Sequence, residues 1–336
     1  MSEISQAQPT VSVLLPVYNG ASYLDAAIES ILSQTFRDFE FLIIDDGSTD
    51  ESSSILKRYT DPRIRSVHQA NRGLAGTLNI GIEMAKGTWI ARQDQDDVSH
   101  PERLARQLSY FHANPSCVLL GTAAEILEGD RRSGRFHRHP TDANRLRYEL
   151  LFNNPFVHSS VMFPRAVVRE IGGYSTDRAR QPPEDYELWS RLSRQGQVAN
   201  LAEPLLIYRE VQGSMSRLGP SPFRDHLVRI SAENIAMAAG VNPGDAAALH
   251  LAALTHGATD LIQRPDFEAM RKMLHAAVDS IEKNSVELHR EANERVQALR
   301  GMHLADRSAF GKILRMPGPL RNFAKACFRI LMALKK

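Results

Sequence analysis

The chain has 336 residues, of which 43% are hydrophobic and 24% charged, a balance typical of a folded protein. That length accommodates one large α/β domain, alone or with a helical appendage. The two cysteines, Cys117 and Cys327, lie far apart, which argues against a disulfide framework or a cysteine zinc site and fits a reducing compartment. The N-terminus lacks the pattern of a signal peptide, and no apolar run approaches the ~20 residues of a membrane span, so we expect a cytoplasmic protein.

The net charge of +2 conceals an uneven distribution along the chain. From Ser308 onward there are seven Lys or Arg residues and no Asp or Glu. Without those seven charges, the rest of the chain has a formal charge of −5. A mildly acidic body with a basic tail is not the pattern of a protein that binds nucleic acid in a basic groove, so we expect no nucleic-acid partner.

Apolar runs and helical periodicity alternate over the first hundred residues, which predicts βαβ units with a parallel sheet and helices on both faces. Strands are predicted at residues 11–16, 39–44, 64–68, 88–92, 118–123, 159–163 and 204–208. Helices are predicted at residues 21–34, 51–59, 74–85, from 101, up to 171 and at 184–194, followed by a polar helical region at 222–299.

Polar residues follow three of these strands, at positions 16–19, 45–48 and 93–97. Ligands of parallel sheets bind beyond the carboxyl ends of the strands, so we expect the three segments to converge on one site. The third segment holds Asp94, Asp96 and Asp97, whose charges repel unless a cation or strong donors relieve them. A hard divalent ion shared with phosphates would supply that relief, whereas an acidic loop that caps the next helix would need no ion.

The motifs of the first two hundred residues together resemble those of family 2 glycosyltransferases. They read VLLPVYN at residues 13–19, DDGSTD at 45–50, NRG at 71–73, DQDD at 94–97, GGY at 172–174 and EDYELW at 184–189. Each is weak alone, but their order and spacing over residues 10–216 are specific. The resemblance implies a GT-A type, Rossmann-like α/β fold, with a mostly parallel sheet flanked by helices. It also implies an inverting enzyme that takes sugar from a nucleotide-sugar donor, commonly a UDP-sugar, with Mn²⁺ or Mg²⁺.

The resemblance also implies roles for individual residues. Tyr18 would stack on the base, Asp46 would accept a hydrogen bond from it, and Asp94 would hold the ribose or orient the metal. Asp96 would bind the metal that bridges to the diphosphate. The implied nucleotide-sugar site comprises Pro16, Val17, Tyr18, Asp46, Arg72 and Asp94. In isolation, Tyr18 also fits a core aromatic, Asp46 an Asx turn and Arg72 a solvated loop residue.

Asp185 is the candidate catalytic base, with Glu184 beside it. An inverting transfer needs a carboxylate that removes the proton of the acceptor hydroxyl from the side opposite the leaving group. A pair at the start of a helix, on a different segment from the metal ligand, satisfies that requirement, and each carboxylate raises the pKa of its neighbour. The alternative is that both complement the positive end of the helix dipole.

Three further residues are candidates for acceptor or phosphate contacts. The family often has a His soon after a Tyr-Arg pair, but this chain continues Tyr208-Arg209 without one, which leaves Arg209 or Gln212 as substitutes. His158 precedes a strand and either faces the acceptor or plays a structural part.

Three regions are predicted: a catalytic domain at residues 8–216, a helical extension at 217–305 and a basic amphipathic tail at 306–336. The tail places an apolar stripe beside Arg321, Lys325 and Arg329, a pattern of helices that lie on anionic membranes. Docking of the same stripe on the body is the alternative. The resemblance implies a glycan or lipid-linked acceptor, and a lipid-linked acceptor favours a peripheral position of the protein on the inner face of the membrane.

Two other functions compete with sugar transfer. A nucleotidyltransferase or dinucleotide oxidoreductase calls for a glycine-rich phosphate loop after the first strand, where this chain has only Asn19-Gly20. A non-catalytic nucleotide-sugar-binding module of the same fold is disfavoured by the presence of both Asp96 and Asp185, although the missing His weakly favours it.

Overall fold

The computed structural model describes residues 8–211 and 223–307, and the chain divides into two compact units between residues 230 and 231. The strands are β1 (Val11–Val17), β2 (Phe39–Asp45), β3 (Ile64–His68), β4 (Trp89–Arg92), β5 (Val98–Ser99), β6 (Cys117–Glu128), β7 (Arg131–His137), β8 (Met162–Pro164) and β9 (Gln197–Glu210). The helices of the first unit are α1 (Leu24–Leu32), α2 (Ser52–Leu56), α3 (Gly73–Met84), α4 (Arg103–Ala113), α5 (Ala143–Glu149), α6 (Arg165–Glu170) and α7 (Glu184–Leu192). Then follow α8 (Phe223–Ala238), within which the first unit ends, α9 (Ala246–Thr255), α10 (Phe267–Ile281) and α11 (Val286–Arg307).

The first unit is built on a nine-stranded mixed sheet in the order β3-β2-β1-β4-β8-β6-β9-β5, with β7 paired to β6. Strands β3, β2, β1 and β4 are parallel to one another, and β6 is parallel to β9. Pairs that involve β5, β7 and β8 are antiparallel. This confirms the predicted α/β class with a mostly parallel sheet in its N-terminal half.

Both faces of β1 and β2 are buried, which explains their largely apolar sequences, whereas the edge strand β3 is partly exposed. Along β1, Val13 and Leu15 belong to one core cluster and Leu14 to another, because successive side chains point to opposite faces. Helices α1 and α4 cover the first face, for example through Ile28, and α3 and α7 cover the second, for example through Trp189. The sheet thus forms a rigid base from which loops project.

Several predicted elements differ from the observed ones. The predicted strand at 204–208 is the second half of the longer β9, and β6 extends five residues beyond the predicted end at residue 123. The first two residues of the predicted strand at 159–163 belong instead to a short 3₁₀ helix, His158–Ser160, that precedes β8. No strand was predicted at β7, whose side chains are mostly exposed. Its polar sequence lacks the apolar alternation that indicates a half-buried strand.

The second unit is helical, as predicted for this part of the chain. Asp245 caps α9 through the amide of Ala247, and Asp266 caps α10 through the amides of Glu268 and Ala269. Its core consists of buried residues from the three helices that follow α8, among them Leu251, Met270, Leu274, Leu288 and Ala292. The predicted boundary at 216/217 and residues 308–336 of the tail lie outside the described residues, so these divisions stay predictions.

None of the helices in residues 8–211 and 223–307 combines the length and apolar character that a membrane span requires.

Candidate active site

Three loops meet at the carboxyl edge of the parallel strands, as the sequence predicts. The registers place Val17 of β1 beside Asp45 of β2, and Leu14 of β1 beside Arg92 of β4. The backbone amide of Asp46 continues the pairing with a 2.8 Å hydrogen bond to the carbonyl oxygen of Val17. The loops after all three strands therefore begin at the same edge of the sheet, where ligands of such sheets bind.

The loop after β1 presents an aromatic ring to solvent. Tyr18 is 49% exposed, although Pro16 and Val17 before it are buried in the strand. Asn19 follows in the left-handed region, and its side-chain oxygen accepts a 2.8 Å hydrogen bond from the amide of Thr49. The loop is thus fixed while the ring face stays open, which suits stacking on a planar group.

Asp46 is buried and holds the loop that precedes α3. One carboxylate oxygen accepts hydrogen bonds from the Gln69 side chain at 2.7 Å and from the amide of Arg72 at 2.9 Å. The other accepts from the amide of Gly73 at 2.9 Å. Arg72 thus contributes its backbone to this network, and its side chain is exposed at the edge of the site.

Gln95 ties the loop after β4 to the loop after β1, a role that the sequence analysis missed. Its side-chain oxygen accepts a 2.9 Å hydrogen bond from the amide of Tyr18, and its side-chain nitrogen donates to the carbonyl oxygen of Tyr18 at 3.1 Å. This pair of bonds fixes the backbone of Tyr18 relative to the acidic residues around Gln95.

The acidic residues lie in residues 94–97, here called the carboxylate loop. Asp94, Asp96 and Asp97 each offer an oxygen within 4.8 Å of the others. Burial, together with the charge of Asp94, raises the pKa of Asp96 to about 6 and that of Asp97 well above its usual range. Carboxylate oxygens are the ligands that hard divalent cations prefer, and a cation relieves this repulsion. The donor set therefore fits Mn²⁺ or Mg²⁺.

Asp94 is fixed from both sides. Its side chain pairs with the guanidinium of Arg92, which is 1% exposed, and its amide donates a 2.8 Å hydrogen bond to the hydroxyl of Ser159. A buried cation thus stands next to the acidic loop and offsets part of its negative charge.

Glu184 and Asp185 begin α7. Burial and the charge of Asp185 raise the pKa of Glu184 to about 7. Burial also raises the pKa of Asp185 to about 6, although hydrogen bonds from the amide of Tyr186 and the side chain of Asn154, both at 2.7 Å, favour the charged form. Burial and the proximity of the two carboxyl groups thus make Glu184 and Asp185 easier to protonate than exposed carboxylates. Asn154, a residue to which the sequence analysis gave no role, orients the Asp185 carboxylate.

His158 packs among aromatic side chains. Its Nε2 lies 2.9 Å from the hydroxyl of Tyr174, and its ring centroid lies 5.7 Å from that of Trp189. Burial and the nearby charge of Arg92 hold the pKa of His158 well below its usual range, so the ring is neutral.

Arg209 is 6% exposed and spans several loops. Its Nε donates to the carbonyl oxygen of Asp96 at 3.0 Å, its amide donates to Asp97 at 2.9 Å, and its guanidinium lies over the ring of Tyr23 at 4.2 Å. It also pairs with Asp130 at 2.6 Å. The structure thus gives Arg209 a part in shaping the carboxylate loop. Gln212 lies outside the described residues.

An open cavity of about 600 Å³ lies beside Asp96. Its lining is mostly polar and comprises Asn19, Gly20, Ser22, Tyr23, Gln95, Asp96, Gly129, Glu210 and Val211. The cavity gives a ligand direct access to the carboxylate loop.

A carboxylate loop and an exposed aromatic ring at the carboxyl edge of a parallel sheet fit an α/β protein of the GT-A type. Residues 12–172 match the family described as glycosyl transferase family 2. An uncharacterized glycosyltransferase of Haemophilus influenzae is 31% identical over 238 residues, which cover 68% of this chain and 73% of that protein. The O-antigen biosynthesis glycosyltransferase WbnJ of Escherichia coli is 34% identical over 205 residues, which cover 59% of this chain and 79% of that protein.

The fold is shared with a solved structure. A crystal structure of S. aureus TarS, residues 1–349, in complex with UDP-GlcNAc matches with a TM-score of 0.58 and 17% identity, over 89% of this chain and 91% of that one. The chain belongs to glycosyl transferase family 2, and it is a glycosyltransferase.

Proposed function

We propose that this glycosyltransferase catalyses inverting transfer from a nucleoside-diphosphate sugar, a UDP-sugar, to a glycan or lipid-linked acceptor. The observation that carries the proposal is the clustering of Asp94, Asp96 and Asp97 at the sheet edge, next to an exposed Tyr18. A further carboxylate, Asp185, lies on a different segment of the chain, and burial raises its pKa to about 6. A base and a cation site on separate elements are what a displacement at the anomeric carbon requires.

The chain's own residues divide the chemistry between them. Tyr18 stacks on the base, Asp46 orients the nucleoside, and Asp96 with its neighbours holds the divalent cation. When bound, Mn²⁺ or Mg²⁺ supplies Lewis-acid stabilisation of charge on the departing nucleoside diphosphate. Asp185, oriented by Asn154, accepts the proton of the acceptor hydroxyl as that oxygen attacks.

Relatives support the donor and the acceptor classes. The TarS structure that shares this fold holds UDP-GlcNAc, which favours a UDP-sugar here. WbnJ is named for O-antigen biosynthesis, which favours a role in the synthesis of a cell-surface polysaccharide. Such an acceptor is a glycan, free or carried on a lipid.

A thermal-shift screen of UDP-, GDP- and dTDP-sugars, with and without Mn²⁺, tests the donor assignment. We expect a UDP-sugar with Mn²⁺ to stabilise the fold most, by about 2.7 kcal/mol at a ligand concentration of 100 times Kd. Stabilisation by no nucleotide sugar, or by UDP-sugars equally well in EDTA, would refute the proposed metal-dependent donor site.

We further propose that residues 306–336 hold the protein on the cytoplasmic face of an anionic membrane, beside a lipid-linked acceptor. The supporting observation is the composition of the segment, with seven Lys or Arg from Ser308 onward and no acidic residue. Each cation near an anionic surface contributes about 1 kcal/mol, and an apolar stripe adds its own burial.

Truncation before Arg315 is expected to abolish co-sedimentation with anionic vesicles while activity on a soluble acceptor analogue is kept. Binding of the full chain should weaken as salt rises, because the attraction is electrostatic. Neutral vesicles serve as the control. If the truncated protein unfolds or aggregates, the segment packs on the body of the protein and the membrane proposal is wrong.

A further inference from the structure

Arg103, the first residue of α4, is fully buried and makes its side-chain contacts with uncharged acceptors. Its Nε donates to Gln107 Oε1 at 3.2 Å. Its Nη1 donates to Gln93 Oε1 at 3.0 Å and to the hydroxyl of Ser99 at 2.9 Å. Burial of a cation is costly unless its hydrogen bonds are satisfied, and here two of these bonds reach Gln93 and Ser99, which lie on either side of the carboxylate loop.

The remaining nitrogen of Arg103, Nη2, donates to two backbone carbonyl oxygens, one at the end of β4 and one just before β8. Nη2 donates to the carbonyl oxygen of Arg92, the last residue of β4, at 2.6 Å and to that of Val161 at 3.3 Å. The amide of Arg92 is itself bonded to the same Val161 oxygen at 2.9 Å. The guanidinium thus fixes the point where the chain leaves β4.

Gln93 carries this restraint across the loop. Its amide is bonded to the carbonyl oxygen of Leu14 at 3.0 Å, while its side-chain nitrogen donates to the carbonyl oxygens of Asp97 at 2.8 Å and Asp94 at 3.2 Å. The hydroxyl of Ser99 donates to Gln93 Oε1 at 2.7 Å. Arg103, Gln93 and Ser99 therefore form a buried clamp that spans the carboxylate loop from end to end.

We propose that Arg103 is a positioning residue that holds the carboxylate loop in the conformation that binds a divalent cation and a nucleoside diphosphate before either ligand arrives. The inference rests on the proposed metal-dependent donor site and assigns the residue that shapes it. Arg103 touches neither ligand; it acts through Gln93, Ser99 and the backbone of Arg92.

The charge of Arg103 supports the same role. Burial, and then the charge of Arg92, lower the pKa of Arg103 to about 9, while Asp97 and Asp94 oppose that decrease. The side chain is therefore protonated at neutral pH. A positive charge beneath three crowded carboxylates reduces their mutual repulsion while the loop holds no cation.

The test compares Arg103→Lys with wild type by calorimetry of Mn²⁺ binding in saturating UDP. Lysine keeps the charge but replaces the forked donors by one nitrogen. We expect the Kd for Mn²⁺ to rise about 10–100-fold, as is typical when a residue that orients metal ligands is changed. Amide hydrogen exchange at residues 94–98 should accelerate in the variant without UDP or Mn²⁺, while exchange in β1 and α1 stays unchanged.

Arg106→Lys is the matched control, because Arg106 lies on the same helix but is exposed and pairs with Glu102 at 3.4 Å. It should leave both readouts unchanged. If Arg103→Lys does not fold, Ser99→Ala removes one bond to the guanidinium and one to Gln93, and should shift both readouts in the same direction.

The outcomes separate the inference from the function on which it rests. Wild-type affinity for Mn²⁺ in a folded Arg103→Lys or Ser99→Ala protein overturns the inference alone. Faster exchange without weaker Mn²⁺ binding also overturns it, since the clamp would then serve only the fold. If wild-type protein binds UDP without any dependence on Mn²⁺, the proposed metal site and the inference are both wrong.

Discussion

Replacement of Asp185 by asparagine is expected to slow sugar transfer by about 10²–10⁴-fold, the contribution of a general base. Asparagine has the same size, but it cannot take up a proton, and its single side-chain oxygen replaces only one of the two Asp185 oxygens that accept from Asn154 and from the amide of Tyr186. Donor affinity, measured by calorimetry, should stay near that of wild type because Asp185 acts on the acceptor. Steady-state turnover with a soluble acceptor provides the rate.

The pH profile gives an independent check of the same residue. Because the base must be ionised and the pKa of Asp185 is about 6, kcat/KM of wild type should reach its maximum above that pH and fall as the pH decreases through it.

Asp177→Asn, a change at a carboxylate with an exposed side chain, is the control for Asp185→Asn and should keep wild-type rates. Near-normal turnover in Asp185→Asn would place the base elsewhere, with Glu184 as the next candidate.

Asp96→Ala is expected to abolish Mn²⁺-dependent binding of UDP. The residue lies in the centre of the carboxylate loop, and removal of its carboxylate leaves only Asp94 and Asp97 from the cluster. The fold should not suffer, since the raised pKa of Asp96, about 6, shows that its charge is disfavoured in the folded state. The metal-free Tm of the variant should therefore equal or exceed that of wild type at neutral pH.

Calorimetry of UDP binding with Mn²⁺ and with EDTA measures this effect. Glu203→Ala, at an exposed carboxylate of the same unit, is the matched control and should bind as wild type does. Unchanged UDP affinity and unchanged metal dependence in Asp96→Ala would show that the metal assignment is wrong.

Strands β1 and β2 could be predicted from sequence because they are buried on both faces. The predicted ends of strands 11–16 and 39–44 lie within one residue of β1 and β2. The hairpin of β6 and β7 could not be predicted in the same way, since β7 is polar and mostly exposed. Its conformation is set by backbone pairing with β6, which leaves no apolar period in its own sequence.

The residues of the candidate site also fall into those that the sequence predicts and those that only the structure reveals. Asp96 and Asp185 stand in motifs whose order along the chain is informative, so their candidacy needs no structure. The supporting contacts are different, because they join distant positions: Gln95 and Tyr18 are 77 positions apart, and Asn154 and Asp185 are 31 apart. No spacing rule encodes such pairs. The fold brings them together by aligning the ends of separate strands and helices.

Metal-dependent transfer can be measured as release of UDP from a UDP-sugar, followed with Mn²⁺ and with EDTA. We expect release by wild type with Mn²⁺, loss of release in EDTA, and loss in Asp96→Ala even with Mn²⁺. Release that continues unchanged in EDTA and in Asp96→Ala would contradict it.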